Sequence, residues 1–586
     1  MTLRRFPMAL VASVTGTWAM VMWVNVHPQQ HSSVDPLWKW AMVATLGITL
    51  FTSLSVFSEV KKYDAGKSGR LAFGALALLA FYFVSLLGNL KGADFYRFYL
   101  INTDLHLLVA IAPFLFERGL TNAFWQYNKT LFIRLGVSAI YSSTIFIGLV
   151  IAIACLNNLF NLRIKEDIYF QLWLMVVGIF NTWFFLGGVP SAIPALETRD
   201  DYPKGLRIFT QFILIPLVVL YYAILYLYMA KILFTWNLPV GWLSSFIIGA
   251  SLLGILTLLL VYPLRNRLEF GWTKTYARYF YLALLPLVVL MAVAIFRRIF
   301  DYGITVERYF VLLFTVWLFY ISIKFTWRPN TDIRFIPTSM CLLIVLATFG
   351  PLSAINVSAQ SQLGRLEYYF VKNGYLSDGV LIKGKRKVTF KDSAEISSIV
   401  EYLDRMHGLG VLNRWANKGA DFQHMDQYSL CRDYLEIELS ERYDPWSGQQ
   451  YYFSYVARAM LLRTVKEFDY SYELQGFYPA SQGRNKKIIT PDGELELIFA
   501  EMKNTIEFKK GDQILTIDLE PVLAKLKETK GSNGYDVDAG DLTFEVQNED
   551  VRIKVLVTTI SGQYKDEMPR VENLDGQVYL KFKGKK

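Results

Sequence analysis

A carboxylic acid and an imidazole, Asp104 and His106, stand two residues apart in the otherwise apolar run Phe98–Phe116. Ionisable groups at membrane depth are costly, so they face a partner, a cavity or an ion path. Their chemistry suits a proton- or ion-coupled site. Two residues apart on a helix, however, they point to different sides, and a hydrogen bond between helices is the competing role. Asn181 and Gln211, in neighbouring apolar runs, are candidate partners, with ordinary polar packing as the alternative. A second constellation is cationic. Arg297, Arg298 and Arg308 bracket Asp301-Tyr302-Gly303-Ile304-Thr305, and guanidinium forks match phosphate or carboxylate. They form a candidate site for an anionic lipid headgroup or an acidic envelope component. The structural alternative gives Arg297 and Arg298 to a helix C-terminus and pairs Arg308 with Asp301 or Glu307.

Weaker sets are settled by their spacing. The stretch from Pro190 to Arg207 offers Glu197, Asp200 and Asp201 to a cation, though a solvated connector fits as well. His27 and His31 have helical metal spacing, but Pro28 between them disfavours the helix. Asp536, Asp538 and Asp541 faintly resemble calcium ligands without the full loop pattern or its terminal glutamate. Cys155, Cys341 and Cys431 make neither a disulfide framework nor a metal-spaced pair. Phosphate-cradling glycine loops, H-E-x-x-H, G-x-S-x-G and a dinucleotide fingerprint are absent from the sequence. An ATP-driven pump, a zinc protease and a serine hydrolase are therefore disfavoured, and no cofactor is expected.

These residues must be positioned by membrane helices. About 20 apolar residues cross the hydrocarbon core as a helix. By that rule the chain has eleven candidate spans: Phe6–Val26, Leu37–Phe57, Leu71–Gly88, Phe98–Phe116, Leu131–Leu156, Ile168–Val189, Leu206–Trp236, Leu243–Tyr262, Tyr281–Phe300, Phe310–Trp327 and Phe335–Ala354. The seventh is too long to stand upright and must tilt, emerge or bend at Pro216. Between the ninth and tenth, Gly303 suits a left-handed helix end, while Thr305 and Glu307 suit a helix start. Ala250 and Gly254 have the spacing that lets helices approach closely.

Charge divides the chain. Residues 1–358 carry a net +13 and 359–586 a net −3. Basic loops beside apolar spans are expected of a membrane edge, so the overall +10 does not argue for nucleic acid. With the N-terminus inside, inner loops hold twice the cations of outer loops. An odd span count then leaves the tail outside, which in a bacterium is the periplasm.

The run Tyr202-Pro203-Lys204, Arg207, Gln211, Pro216, Tyr222, Pro239, Pro263 and Pro286 is one half of a familiar pattern. Its other half is Arg298, Tyr302-Gly303-Ile304-Thr305, Arg308-Tyr309, Ile336-Pro337, Gly350-Pro351, Ser358 and Ser361-Gln362. Together they resemble a bacterial family of polytopic membrane proteins, domain of unknown function 4153. The resemblance implies an inner-membrane location and a variable tail, and it carries no activity and no catalytic residue.

The tail alternates in the manner of strands. Ile488–Thr490 and Glu494–Phe499 flank Pro491-Asp492-Gly493 as a hairpin, and Thr505–Phe508, Ile514–Leu519, Leu542–Val546, Val551–Thr559 and Val578–Phe582 repeat the period. Ile396, Ile399, Val400, Leu403 and Met406 make a helical stripe after Ser393 that stops at Gly408, and further helices fit Tyr455–Phe468 and Glu520–Glu528. The expected fold is a mainly α-helical polytopic membrane bundle of about eleven spans with a C-terminal soluble α+β domain. Its expected parts are a membrane domain at 1–356, a juxtamembrane connection at 357–375 and an extracytoplasmic α+β region at 376–586. The leading functional expectation is an envelope sensor, scaffold or accessory protein. A secondary transporter or lipid-handling permease is the alternative, and a membrane-embedded enzyme acting on a lipid or glycan stands third. The expected partners are the lipid bilayer and an anionic lipid or envelope component.

Overall fold

The computed structural model describes residues 2–582 apart from 27–35, 89, 118, 236–241, 267–270, 329–330, 385, 387, 418–420, 438–450, 458–466, 478–485, 491–492, 501–503, 531–532 and 566–567. His27 and His31 lie outside the described residues, as does Pro239. The chain separates into two compact units. One comprises Met1–Pro239 with Leu243–Gln362, and the other centres on Leu363–Lys586.

In the first unit, long apolar runs form helices because lipid offers backbone groups no hydrogen-bonding solvent. Nine helices among the described residues are long and apolar enough to cross a membrane. They are α1 (Pro7–Asn25), α2 (Pro36–Val60), α3 (Ala65–Ser85), α5 (Thr121–Phe160), α6 (Asp167–Gly187), α7 (Lys204–Thr235), α8 (Leu243–Leu264), α9 (Trp272–Tyr302) and α10 (Val306–Trp327). The two other sequence candidates are also helices. α4 (Gly92–Ile111) carries Asp94, Arg97 and Asp104, and α11 (Phe335–Thr348) has only 14 residues. Both run between the same two edges of the unit as their neighbours. At the start of α4 the Tyr96 hydroxyl donates to Glu307, while Glu117 beyond its other end pairs with Lys61 and accepts from Arg334 through its carbonyl. α11 begins at that Arg334 edge, and past its far end the Leu352 carbonyl accepts from the Tyr309 hydroxyl.

The unit has two main cores. Phe6, Leu46, Phe114, Phe124 and Tyr127 pack in the first, and Ile247, Leu284, Leu287, Met291, Leu318 and Ile321 in the second. Small residues set the helix spacing. A Cβ on Gly16 would lie 2.8 Å from the Ala44 Cβ, and one on Gly254 would run into the Phe280 ring. The Ala250/Gly254 spacing is thus a packing seat for that ring.

Two π-helical stretches interrupt α6 and α7, at Val176–Asn181 and Phe209–Leu214. Pro216 follows the second after one residue, Ile215. A proline inside a helix lacks the N–H for its i−4 carbonyl and crowds that carbonyl, and widening the preceding turn relieves the conflict.

α12 (Ala354–Lys372) begins in the first unit and ends in the second, and occupies most of the stretch read from sequence as a connection. A two-strand ribbon, β1 (Leu376–Ser377) with β2 (Val380–Leu381), leads to α13 (Phe390–His407). Thr389 caps α13, its side chain accepting from the Asp392 N–H; the start therefore lies ahead of Ser393, and Gly408 at φ +74° ends the helix. Lys372 pairs with Asp392 at 2.8 Å and Arg365 with Glu395 at 3.0 Å, tying α12 to α13.

The remaining strands are β3 (Tyr451–Ala457), β4 (Tyr470–Phe477), β5 (Lys486–Thr490), β6 (Gly493–Ala500), β7 (Thr505–Lys510), β8 (Gln513–Asp518), β9 (Asn533–Val537), β10 (Thr543–Gln547), β11 (Val551–Lys565) and β12 (Met568–Phe582). β5-β6-β7-β8 is an antiparallel meander, and β4-β12-β11-β3-β9 is a second sheet with β10 also paired to β11. The hairpin expected around Gly493 is present, with Lys486 opposite Leu497 and Thr490 opposite Gly493. The helix expected over Tyr455–Phe468 is corrected in part. Tyr451–Ala457 is a strand between β11 and β9, and 458–466 lie outside the described residues. Its aromatic run Tyr-Tyr-Phe-Ser-Tyr-Val suits a pleated, half-buried surface better than a helix. A helix α14 (Glu520–Lys530) packs Leu523 and Leu526 into a shared core with Ile506, Phe508, Val555 and Val578.

Candidate functional site

Polar chemistry in the first unit is concentrated at its two edges. At one edge, Gly303 takes φ +69° and its N–H returns to the Ile299 carbonyl, which closes α9. Thr305 then caps α10 by accepting from the Arg308 N–H. Between these ends the chain turns tightly, and its carbonyls need donors. Arg308 Nη1 donates to Tyr302 O at 3.1 Å and to Gly303 O at 3.0 Å, with its guanidinium 5.3 Å from the Tyr302 ring centroid. Gln362 Nε2 donates to Tyr302 O at 3.2 Å and Ile304 O at 3.1 Å, and the Ile304 N–H donates to Ser361 Oγ at 2.9 Å. Tyr309 Oη reaches Leu352 O at 2.6 Å, and Asn356 Nδ2 reaches Gly350 O at 2.8 Å. This clasp joins the α9–α10 turn to the segment after α11.

The opposite edge is ionic. Arg5 makes a two-pronged pair with Glu59 at 2.6 and 2.8 Å and donates to the carbonyls of Val189 and Pro190. Lys61 pairs with Glu117 at 2.7 Å, and Arg334 pairs with Asp332 at 2.6 Å. The connector 188–203 is lashed down by the start of α5. Asn122 Nδ2 donates to the carbonyls of Glu197 (2.8 Å) and Arg199 (2.7 Å), and Glu197 Oε2 accepts from the Ala123 N–H at 2.7 Å. Lys129, its side chain only 5% exposed, pairs with Asp201 at 2.9 Å over the face of Trp125. That hydrogen bond is the main cause holding the Asp201 carboxyl below the usual carboxylate range, against a smaller opposing effect of burial. Trp125 stacks on Tyr202 at 5.3 Å and donates to Leu259 O, while Tyr202 Oη donates to Leu260 O.

Comparison with family models matches the described "Domain of unknown function (DUF4153)" over residues 16–380, well over half the chain. The chain belongs to the DUF4153 family. It is also similar to an uncharacterized protein of Pasteurella multocida (strain Pm70), 26% identical over 371 residues, covering 62% of this chain and 59% of that protein. The chain thus spans about three fifths of the length of the curated relative it matches. No solved structure matches. The clasp brings together the most specific part of the DUF4153 resemblance, Tyr302 to Thr305 with Arg308 and Tyr309, and Ser361-Gln362 from the same pattern, which lie far along the sequence.

The residues nominated from sequence separate in the DUF4153 unit. Asp104 and His106 do not form a pair. His106 is exposed, its Nδ1 at 2.7 Å from the Asn102 carbonyl one turn back. Asp104 turns toward α11, where Cys341 Sγ lies 4.0 Å from its carbonyl, and its Oδ1 is buried without a hydrogen-bond partner among the described residues. Asn181 and Gln211 are not each other's partners. Asn181 Oδ1 accepts from Ser142 at 3.2 Å, and Gln211 Nε2 donates to Thr273 at 3.2 Å. Both stand on the π-helical stretches, a coincidence that sequence alone does not signal.

Arg308 is engaged by backbone carbonyls within the clasp, whereas Arg297 is exposed and borders a cavity of about 510 Å³ between α9 and α10. Arg298 is part-buried one residue farther along α9. In the connector, Glu197 and Asp201 are engaged as described. In the tail, Asp541 pairs with Lys525 at 2.7 Å and Asp538 Oδ1 accepts from the Gly540 N–H, so loop and helix contacts occupy these carboxylates. Among the described residues, no group of three or more His, Cys, Asp or Glu is arranged to hold a metal ion. Sequence reasoning missed Lys129 and the Arg5–Glu59 pair. The only signal for Lys129 was a lysine beside an apolar run.

Proposed function

We propose that this protein is an inner-membrane envelope accessory or scaffold protein, with a membrane domain at 1–356, a connection at 357–375 and an α+β region at 376–586 held in the periplasm. The observation that carries this reading is that nominated polar groups serve structural bonds. Asn181, Gln211, Arg308, Glu197 and Asp201 each complete a helix contact, a turn or a connector. An internally fastened bundle bearing a large folded tail suits an anchor better than a machine. The side of the tail follows from an odd number of crossings with the N-terminus inside, supported by α4 and α11 running between the same edges as the nine apolar helices. Protease added to intact spheroplasts is expected to digest the tail. Survival there with cleavage in inside-out vesicles would overturn the periplasmic placement. Ion-coupled uptake into vesicles that Asp104→Asn or His106→Ala abolishes would replace the scaffold reading with transport.

One observation favours lipid handling as a second reading. The cavity between α9 and α10 is lined by Val289, Val293, Phe296, Leu312 and Val316, with Arg297 at its border. An acyl chain fits such a lining and an anionic headgroup fits the guanidinium. Under this reading Arg297→Gln with Arg298→Gln lowers the anionic lipid that co-purifies, and Arg308→Gln acts chiefly through stability. Equal lipid content in the double variant and the parent would remove the second reading.

A further inference from the structure

A different cavity opens at the ionic edge, bordered by α8, α9, α10 and α11, with a volume of about 530 Å³. Its size falls within the range of small-ligand sites, roughly 300–1,000 Å³. Tyr281, stacked on Phe325 at 5.0 Å between centroids, forms one wall, and Val261 and Ile336 are among its other apolar lining residues. Lys274 and Arg278, one helical turn apart on α9, supply two cations to the lining. Neither is in an ion pair among the described residues. Arg278 instead lies over the Tyr279 ring, 5.6 Å from its centroid. Thr326 also lines the cavity.

We propose that this cavity binds one anionic phospholipid, its phosphate at Lys274 and Arg278 and its acyl portion along Tyr281, Phe325 and Ile336. A soluble phosphate would satisfy the cations and leave the apolar lining unfilled. A zwitterionic lipid would fill the lining but bring an ammonium group to the cations of Lys274 and Arg278. Burial of an acyl chain and charge complementarity meet only in a lipid with net negative charge. The site is separate from Arg297 and from the clasp, and stands on the cavity, its apolar lining and the two cations together.

The test is native mass spectrometry of the full chain in detergent, titrated with phosphatidylglycerol, phosphatidylcholine or inorganic phosphate. The parent is expected to bind phosphatidylglycerol in preference to phosphatidylcholine. Each of Lys274→Gln and Arg278→Gln should weaken phosphatidylglycerol binding roughly fivefold, and the pair about 25-fold, at the usual strength of a cation near an anionic headgroup. Ala277→Phe, which adds bulk to the lining, should weaken both lipids without removing either cation. Equal binding of the two lipids, or unchanged phosphatidylglycerol binding in the Lys274→Gln/Arg278→Gln chain, overturns the proposal. Displacement of phosphatidylglycerol by millimolar inorganic phosphate would identify a soluble-anion site instead and also overturn it.

Discussion

The two edges of the membrane unit solve one problem by opposite means. At the clasp, side chains reach backbone: Arg308 and Gln362 donate to the carbonyls of a turn, and Ser361 accepts from its amide. At the ionic edge, side chains mostly reach one another or bind a connector: Arg5 to Glu59, Lys61 to Glu117 and Lys129 to Asp201. Carbonyls in a turn are fixed by its backbone, so a clasp tolerates few residue types. Ion pairs can be exchanged, lengthened or shared. The first kind of edge therefore leaves a fingerprint in the sequence, and the second leaves only a surplus of charge.

The sharpest way to break this contrast is Arg308→Ala. It removes the donor to two carbonyls in a part-buried turn, and a hydrogen bond to a charged group is worth about 1.5–3 kcal/mol. A loss near the upper end, about 3 kcal/mol, is expected in denaturant unfolding of the detergent-solubilised protein. Arg308→Lys should recover less than half, because an ammonium lacks the planar fork. An unchanged midpoint for Arg308→Ala would make the clasp incidental. Gly303→Ala comes next, since φ +69° is strained for any residue with a Cβ. The strain is about 1–2 kcal/mol by the same unfolding measurement, and none would mean the turn relaxes freely.

Asp201→Asn tests the other edge, with an expected loss of about 1 kcal/mol because its partner Lys129 is buried while the carboxylate is mostly exposed. The pH dependence has a definite sign. The Asp201 carboxyl is lowered in the folded chain, first by its bond with Lys129. Its stabilisation is therefore present above the unfolded carboxylate pKa, about 4, and is lost as pH falls through the lower folded value. Asp201→Asn should remove that part of the acid dependence, and identical pH profiles would contradict the pairing. The smallest effect is expected of Glu59→Gln, about 0.5–1 kcal/mol, fading at high salt as the clasp variants do not. Salt sensitivity shared equally by both edges would erase the distinction.

The contrast also accounts for what could be read in advance. The apolar runs announced their helices, and the strand alternation around Ile488, Phe508 and Val555 announced the sheets, because lipid and core each impose a periodicity on neighbours. Gly303 and Thr305 announced the α9–α10 turn, since left-handed backbone and helix capping restrict residue type locally. What stayed hidden depends on residues far apart in the chain. Tyr451–Ala457 is a strand because β11 and β9 flank it, and Lys129 is buried because Asp201 and Trp125 close over it. The separate fates of Asp104 and His106 followed from helix geometry, whereas the uptake of Arg308 by carbonyls depended on how the turn folds. The cavity beside Lys274 needed four helices to assemble before its cations acquired an apolar floor.

The wide turns at Val176–Asn181 and Phe209–Leu214 carry a mechanical corollary. Each holds one residue more than an ordinary turn, so tightening either would screw its helix by roughly 100°. They lie on both sides of the 188–203 connector, which Asn122, Glu197 and Lys129 pin to α5. Those fasteners thus act as a rotational stop, setting the azimuth of two consecutive helices as well as the place where they end.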